Sequence, residues 1–265
     1  MTDEQRALYQ ALAARIAQDA RVEAVWLAGS LGAGEGDAWS DVDLLVLAKD
    51  GAWAAVSAAL AEELGAAFDA VLVEPLFGGR VVHFVTVEWA RFDLTIVERD
   101  GLVRYDANRL EPAFNRGDAA PPRKRQTPYA PAPETVVRIA REFLRVLGLL
   151  PNALGRGELL NALSGSDILR RLTVELMHEE AGIAPDRRGG ALHPSRFLSA
   201  EQLAALRALP PIAAEPDSLT AGNRALAQLF LPRARALAER TGAPWPQRLE
   251  DAARRHLKRT IGLDV

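Results

Sequence analysis

The sequence predicts an α+β protein in two parts, an N-terminal mixed sheet with flanking helices and a C-terminal all-helical bundle. Three observations carry that expectation. Apolar runs of strand character, VEAVWLAGS (22–30), DVDLLVLA (41–48), VVHFVTVEW (81–89) and FDLTIVE (92–98), are confined to the first part of the chain. A proline-rich, basic stretch without periodicity, RGDAAPPRKRQTPYAPAP (116–133), then interrupts the pattern as a linker would. Beyond it the apolar residues recur at helical spacing. The expected boundaries are a sheet domain over 1–115, a linker over 116–133 and a helical bundle over 134–265.

The elements follow in order. Thr2 and Gln5 have capping-box spacing ahead of Leu8, Leu12 and Ile16, which predicts an opening helix. The strand 22–30 breaks at glycine, and 41–48 is a short buried strand. A helix is expected from about Trp53 to Leu64, capped by Asp50 and ended by Gly65. AVLVEPLF (70–77) is a weaker strand candidate, followed by 81–89 and 92–98. In the second part helices are expected over 134–150, 157–180, 199–209, 218–240 and 246–261. Ser199 and Gln202 form another capping box, and Pro232 is expected to kink or divide the fourth helix.

Composition narrows the function classes. The chain has 265 residues, 49% apolar and 25% charged, with a formal net charge of −3. A slightly acidic chain of this kind argues against a nucleic-acid partner held mainly through phosphates. Without cysteine there is no disulfide framework, thiolate zinc site or cysteine nucleophile. The opening residues lack a signal-peptide pattern, and no apolar stretch is long enough to span a bilayer. A cytoplasmic protein with no membrane partner is the expectation, and the sequence leaves its oligomeric state open.

The stretch WLAGSLGAGEGDAWSDVDLLVL (26–47) concentrates the chemistry. Residues two apart on a strand share a face, so Asp41 and Asp43 point the same way while Val42 and Leu44 enter the core. Two buried carboxylates side by side are costly unless paired or bound to a cation. Oxygen-only ligands suit Mg²⁺, which fills its remaining positions with water and phosphate. Gly29 permits close backbone approach, and Ser30 offers a hydroxyl and an N–H to an anion. Alternation on FDLTIVE places Asp93 with Thr95 and Val97, opposite Phe92, Leu94 and Ile96, where it can complete a triad. His83, among valines, reads as a satisfied histidine rather than a ligand. Glu88 is a weaker substitute for Asp93, Trp26 reads as core, and Trp39 as a candidate neighbour of a nucleotide. Arg170, Arg171 and the linker's Arg123-Lys124-Arg125 read as solvated surface, as do Glu142, Glu158, Glu175 and Glu179.

Gly29-Ser30, a ten-residue interval and then Asp41-Val42-Asp43 between apolar runs resembles the signature of the nucleotidyltransferase superfamily that includes DNA polymerase beta. With Asp93 on a later strand, the GEGDxxSD loop and a helical second half, the chain looks most like the lincosamide and aminoglycoside nucleotidyltransferases. The resemblance implies that Gly29 and Ser30 hold a triphosphate, and that Asp41 and Asp43 bind both Mg²⁺ and the nucleotide. It implies Asp93 either as a third metal ligand or as the base for the acceptor hydroxyl. The implied cofactors are Mg²⁺, two ions, and ATP or another NTP. The implied reaction moves AMP from ATP to a hydroxyl of a small molecule such as an aminoglycoside or lincosamide, and the bundle binds the acceptor. The alternatives are a non-catalytic nucleotide-binding regulator of the same fold, and a nucleotidyltransferase acting on protein or RNA. A sugar-nucleotide transferase would explain the carboxylates but not the Gly-Ser interval.

Overall fold

The computed structural model describes residues 1–117, 119–125, 127–188 and 193–265. The chain divides into two compact units, Met1–Gln126 and Thr127–Val265. The first unit contains a six-stranded mixed sheet with flanking helices, and the second is helical.

In the first unit α1 (Asp3–Ile16) is opened by the Thr2–Gln5 capping box, with both reciprocal hydrogen bonds formed. It leads to β1 (Val22–Leu27), the one-turn helix α2 (Gly29–Gly32) and β2 (Val42–Ala48). The helix α3 (Trp53–Ala67), the hairpin strands β3 (Ala70–Leu76) and β4 (Val81–Thr86), then β5 (Arg91–Val97) and β6 (Glu111–Asn115) complete it. The strand order is β3-β4-β5-β2-β1-β6, and every pairing is antiparallel except β2 with β5. That parallel pair needs a crossover, which α3 and the β3–β4 hairpin supply.

One sheet face is sealed. Val42, Leu44, Val46, Val82, Phe84, Phe92, Leu94 and Ile96 pack there with Leu12 and Ile16 of α1 and Val56, Leu60 and Leu64 of α3. Phe84 and Phe92 stack at a centroid separation of 4.4 Å. The other face is covered over only part of its area, where Ala24, Trp26, Leu45, Leu47, Val97 and Leu102 form a smaller cluster. Trp26 is core, as expected.

Several boundaries differ from the sequence reading. Asp50 does not cap α3, which begins after Ala52 without a side-chain cap, and Gly65 lies inside that helix rather than ending it. Buried Val56, Leu60 and Leu64 hold the helix to the sheet, and their packing outweighs the roughly 1 kcal/mol propensity cost of one interior glycine. The strand β6 was not expected. It is a short edge strand containing Pro112, paired only to β1 and mostly exposed, so it carries no clean alternation.

The second unit comprises α4 (Pro133–Gly148), α5 (Leu150–Gly155), α6 (Leu159–Glu180), α7 (Ala200–Arg207), α8 (Pro216–Thr241) and α9 (Gln247–Ile261), and all of these but α7 line one apolar core. The Ser199–Gln202 capping box opens α7. Pro232 does not divide α8, which runs unbroken from Pro216 to Thr241. The ring removes one backbone hydrogen bond, but Leu226, Ala227, Phe230, Leu231, Ala234 and Leu237 are buried on both sides of it and keep the helix continuous through it. The expected linker carries no helix or strand among its described residues before α4, while Asp118 and Gln126 lie outside the described set. No helix among the described residues is long and apolar enough to cross a membrane.

Candidate active site

The site forms at the N-terminal ends of the parallel strands β2 and β5, on the partly uncovered face of the sheet. Register pairs Asp43 with Asp93 across the parallel ladder and Asp93 with His83 across the antiparallel one, so His83, Asp93 and Asp43 form one row. Strands lie about 4.8 Å apart, which keeps neighbouring side chains of such a row in contact range. Asp41 precedes β2 by one residue and contributes to the same electrostatic field at both Asp43 and Asp93.

Burial and like charge act together here. Loss of hydration is the largest cause pushing Asp43 up, to about 7, followed by repulsion from Asp41 and Asp93, with His83 and Arg91 opposing. Asp93 is also raised, first by burial, while the His83 hydrogen bond works against that. His83 Nδ1 lies 2.7 Å from Asp93 Oδ2, the two side chains being 37% and 20% exposed. The sequence reading left His83 as an ordinary satisfied histidine; its partner is an acid of the site. Strand pairing, which a single strand's alternation does not reveal, is what brings them together.

The glycine turn meets the same carboxylate from the other side. Gly29 adopts φ +58°, and a Cβ at that position would lie 1.7 Å from Asp43 Oδ2. Its backbone therefore rests directly against the acid, and only glycine fits. Ala28 N–H donates to the Asp43 carbonyl at 2.8 Å, tying the turn to β2. The strand expected over 22–30 ends at Leu27, and Gly29–Gly32 form one turn of helix.

Ser30 is placed by a polar relay. The Ser30 and Ser40 hydroxyls are 3.0 Å apart, and Ser40 Oγ also contacts Asp37 Oδ1 at 3.1 Å. Gln5 Nε2, from the α1 capping box, donates to the Asp37 and Ser40 carbonyls at 2.9 and 2.7 Å. Arg91 Nη2 donates to the Trp39 carbonyl at 2.9 Å, leaving the Trp39 ring 85% exposed. The ten-residue interval between Ser30 and Ser40 thus closes into a hydroxyl pair beside the acids.

Other candidates fall elsewhere. Glu88 is exposed in the β4–β5 turn. Arg171 pairs with Asp167, Glu142 with Arg145, and Glu175 with Arg138. Glu179 is fully buried and accepts from Tyr129 Oη and Arg188 Nη2.

Among the described residues no three Asp, Glu, His or Cys side chains are gathered into a ready metal cage. The donor chemistry still fits Mg²⁺, which takes one or two carboxylates and completes its shell with water and phosphate. Asp41 and Asp43 are such a pair, and the repulsion raising Asp43 is what a cation would relieve. Asp93 has one oxygen committed to His83.

No protein-family model and no curated protein matches the chain. An aminoglycoside 6-adenyltransferase from Bacillus subtilis aligns over 97% of this chain and 98% of its own, with 15% identity and a TM-score of 0.45. A tRNA-processing enzyme in an apo form aligns over 97% and 78%, with 15% identity and a TM-score of 0.38. A nucleotidyltransferase-like protein from Exiguobacterium sibiricum 255-15 aligns over 97% and 87%, with 14% identity and a TM-score of 0.35. The likeness is one of fold alone.

Proposed function

We propose that the chain is a Mg²⁺-dependent nucleotidyltransferase that moves a nucleoside monophosphate, AMP from ATP, to a hydroxyl of a small molecule. One observation carries the reading: Asp43 stands in register with Asp93, in the field of Asp41, with the Gly29 backbone pressed against its carboxylate. A protein that needed only stability gains nothing from three mutually repelling acids on an open sheet face.

Asp41 and Asp43 would hold the metal, with Gly29, Ser30 and Ser40 beside the triphosphate. A Mg²⁺ ion held there would supply charge to lower the pKa of the attacking hydroxyl and to neutralise the departing pyrophosphate. Asp93 accepts the hydroxyl proton, a task helped by the burial that raises its basicity. His83 keeps the Asp93 carboxylate turned toward its work through the 2.7 Å contact. The acceptor oxygen forms a bond to the α-phosphorus while the bond to the β-phosphate oxygen breaks, so pyrophosphate leaves. The helical unit, Thr127–Val265, is the proposed acceptor-binding domain.

The test is a panel of hydroxyl-bearing amino sugars and lincosamides incubated with ATP and Mg²⁺. Expected are acceptor masses raised by one AMP and equimolar pyrophosphate. Label from ATP on protein or RNA, with no small-molecule adduct, would replace this acceptor class; tight Mg-ATP binding with no product on any acceptor would favour the regulatory alternative. The hydroxyl relay gives a smaller effect. Ser40→Ala should keep stability within about 1 kcal/mol of wild type while weakening Mg-ATP by roughly three- to tenfold in calorimetry. Unchanged affinity would remove Ser40 from the nucleotide site.

A further inference from the structure

Trp89 is an unexpected residue for its position. It lies in the β4–β5 turn with φ +63°, in the left-handed region where a bulky side chain is a genuine outlier. The turn around it is tightly made: Trp89 N–H donates to the Thr86 carbonyl at 2.9 Å, Ala90 N–H to Thr86 Oγ1 at 3.0 Å, and Thr86 N–H to the Ala90 carbonyl at 2.9 Å. Thr86 is buried, yet Trp89 is 74% exposed. The indole therefore contributes little to the core while its backbone carries strain that glycine would avoid.

Its turn joins the two strands that carry His83 and Asp93. Leu72 of β3 pairs with Val85 of β4, and Val85 with Arg91 of β5, two residues from Asp93. Leu72 and Val87 are also exposed. Trp89 stands four positions before Asp93, a span of at most about 14 Å along the chain. The sheet order then assigns sides. The Gly29–Ser30 turn follows β1 and lies on the β1 side of Asp43, whereas Asp93, His83 and Trp89 lie on the β5–β4 side. A triphosphate at Gly29 and Ser30 leaves the Trp89 side to the other substrate.

We propose that Trp89 is an acceptor-contact residue, stacking against a ring face of the hydroxyl compound whose oxygen is presented to Asp93. This rests on the transfer reading above, because it takes Asp93 as the group facing the acceptor. An exposed indole recognises a ring by area and by its π face, so the acceptor class is a ring-bearing hydroxyl compound rather than a simple polyol.

The experiment is saturation-transfer NMR on the full chain, with Mg²⁺ and a non-hydrolysable ATP analogue present. The probes are phenyl β-D-glucopyranoside and glycerol. Wild type should transfer saturation to the glucoside and not to glycerol. Trp89→Gly should lower the glucoside signal about fivefold and Trp89→Phe should retain most of it. The melting temperature of Trp89→Gly should equal or exceed that of wild type, since the strain is relieved. An equal glucoside signal in wild type and Trp89→Gly, or none in wild type, overturns the proposal. So does a smaller sedimenting species for Trp89→Gly, which would assign the patch to self-association. The analogue is titrated separately: if it binds with Mg²⁺ while glucoside binding ignores Trp89, only this inference falls. If it fails to bind while glucoside binding still needs Trp89, the transfer reading falls and the ring contact stands.

Discussion

Asp43→Asn is expected to lose about a thousandfold in turnover, or more, while the metal-free protein becomes more stable above neutral pH. The two effects share one cause. Asp43 is raised from 3.8 to about 7 by burial and by Asp41 and Asp93. Between those values the folded state holds a proton that the unfolded chain has released, so stability falls as pH rises through the window and the full penalty is reached above about pH 7. With solvent reaching part of the cluster, roughly 2 kcal/mol is the expected size. Stability measured from melting curves without metal should therefore drop between about pH 4 and pH 7 by roughly that amount, Mg²⁺ should restore part of the loss at pH 8, and Asp43→Asn should flatten the dependence. A wild-type curve level across this range, or a variant with near-normal turnover, would contradict the assignment of Asp43 as the central ligand.

Gly29→Ala is the second large expectation. The new methyl would sit 1.7 Å from Asp43 Oδ2, 2.6 Å from its Cγ and 2.9 Å from its Cβ. Rotating the carboxylate relieves the first two contacts but not the third, so the turn itself must move. The φ of +58° adds a left-handed penalty of about 1 kcal/mol or more. Stability should fall by roughly 1–3 kcal/mol, and turnover should fall about a hundredfold or more because the acid is displaced from the proposed metal position. Chemical denaturation and pyrophosphate release measure the two separately. An alanine variant with wild-type turnover would show that the turn does not approach the reacting phosphates.

The sequence carried the site's parts further than their assembly. Asp43 and Asp93 stood out as candidates because each interrupts an apolar run, and a charge inside a buried strand needs a reason, while Asp41 stood out by lying just ahead of one. Gly29 was legible as a glycine ahead of a serine, though not as the backbone that rests on Asp43. His83 was missed because its meaning lies in cross-strand pairing, opposite Asp93, which no local pattern encodes. The edge strand β6 was missed for a related reason: partly solvated and interrupted by Pro112, it is fixed by its ladder to β1 rather than by its own residues. Gly65 and Pro232 misled in the opposite direction. Both are local breakers, but buried side chains (before Gly65 in α3, and on both sides of Pro232 in α8) hold a helix that propensity alone would stop.

The parallel pairing of β2 and β5 has a mechanical consequence. The acids and the core residues alternate along the same two strands, so a one-residue slip that parted the carboxylates would also turn Phe92, Leu94 and Ile96 out to water. Their alignment is thereby guarded by the whole hydrophobic layer beneath them. If the proposed Mg²⁺ binds there, its removal should leave the carboxylates stationary and mutually repelling, with no refolding step between the metal-free state and the metal-bound one.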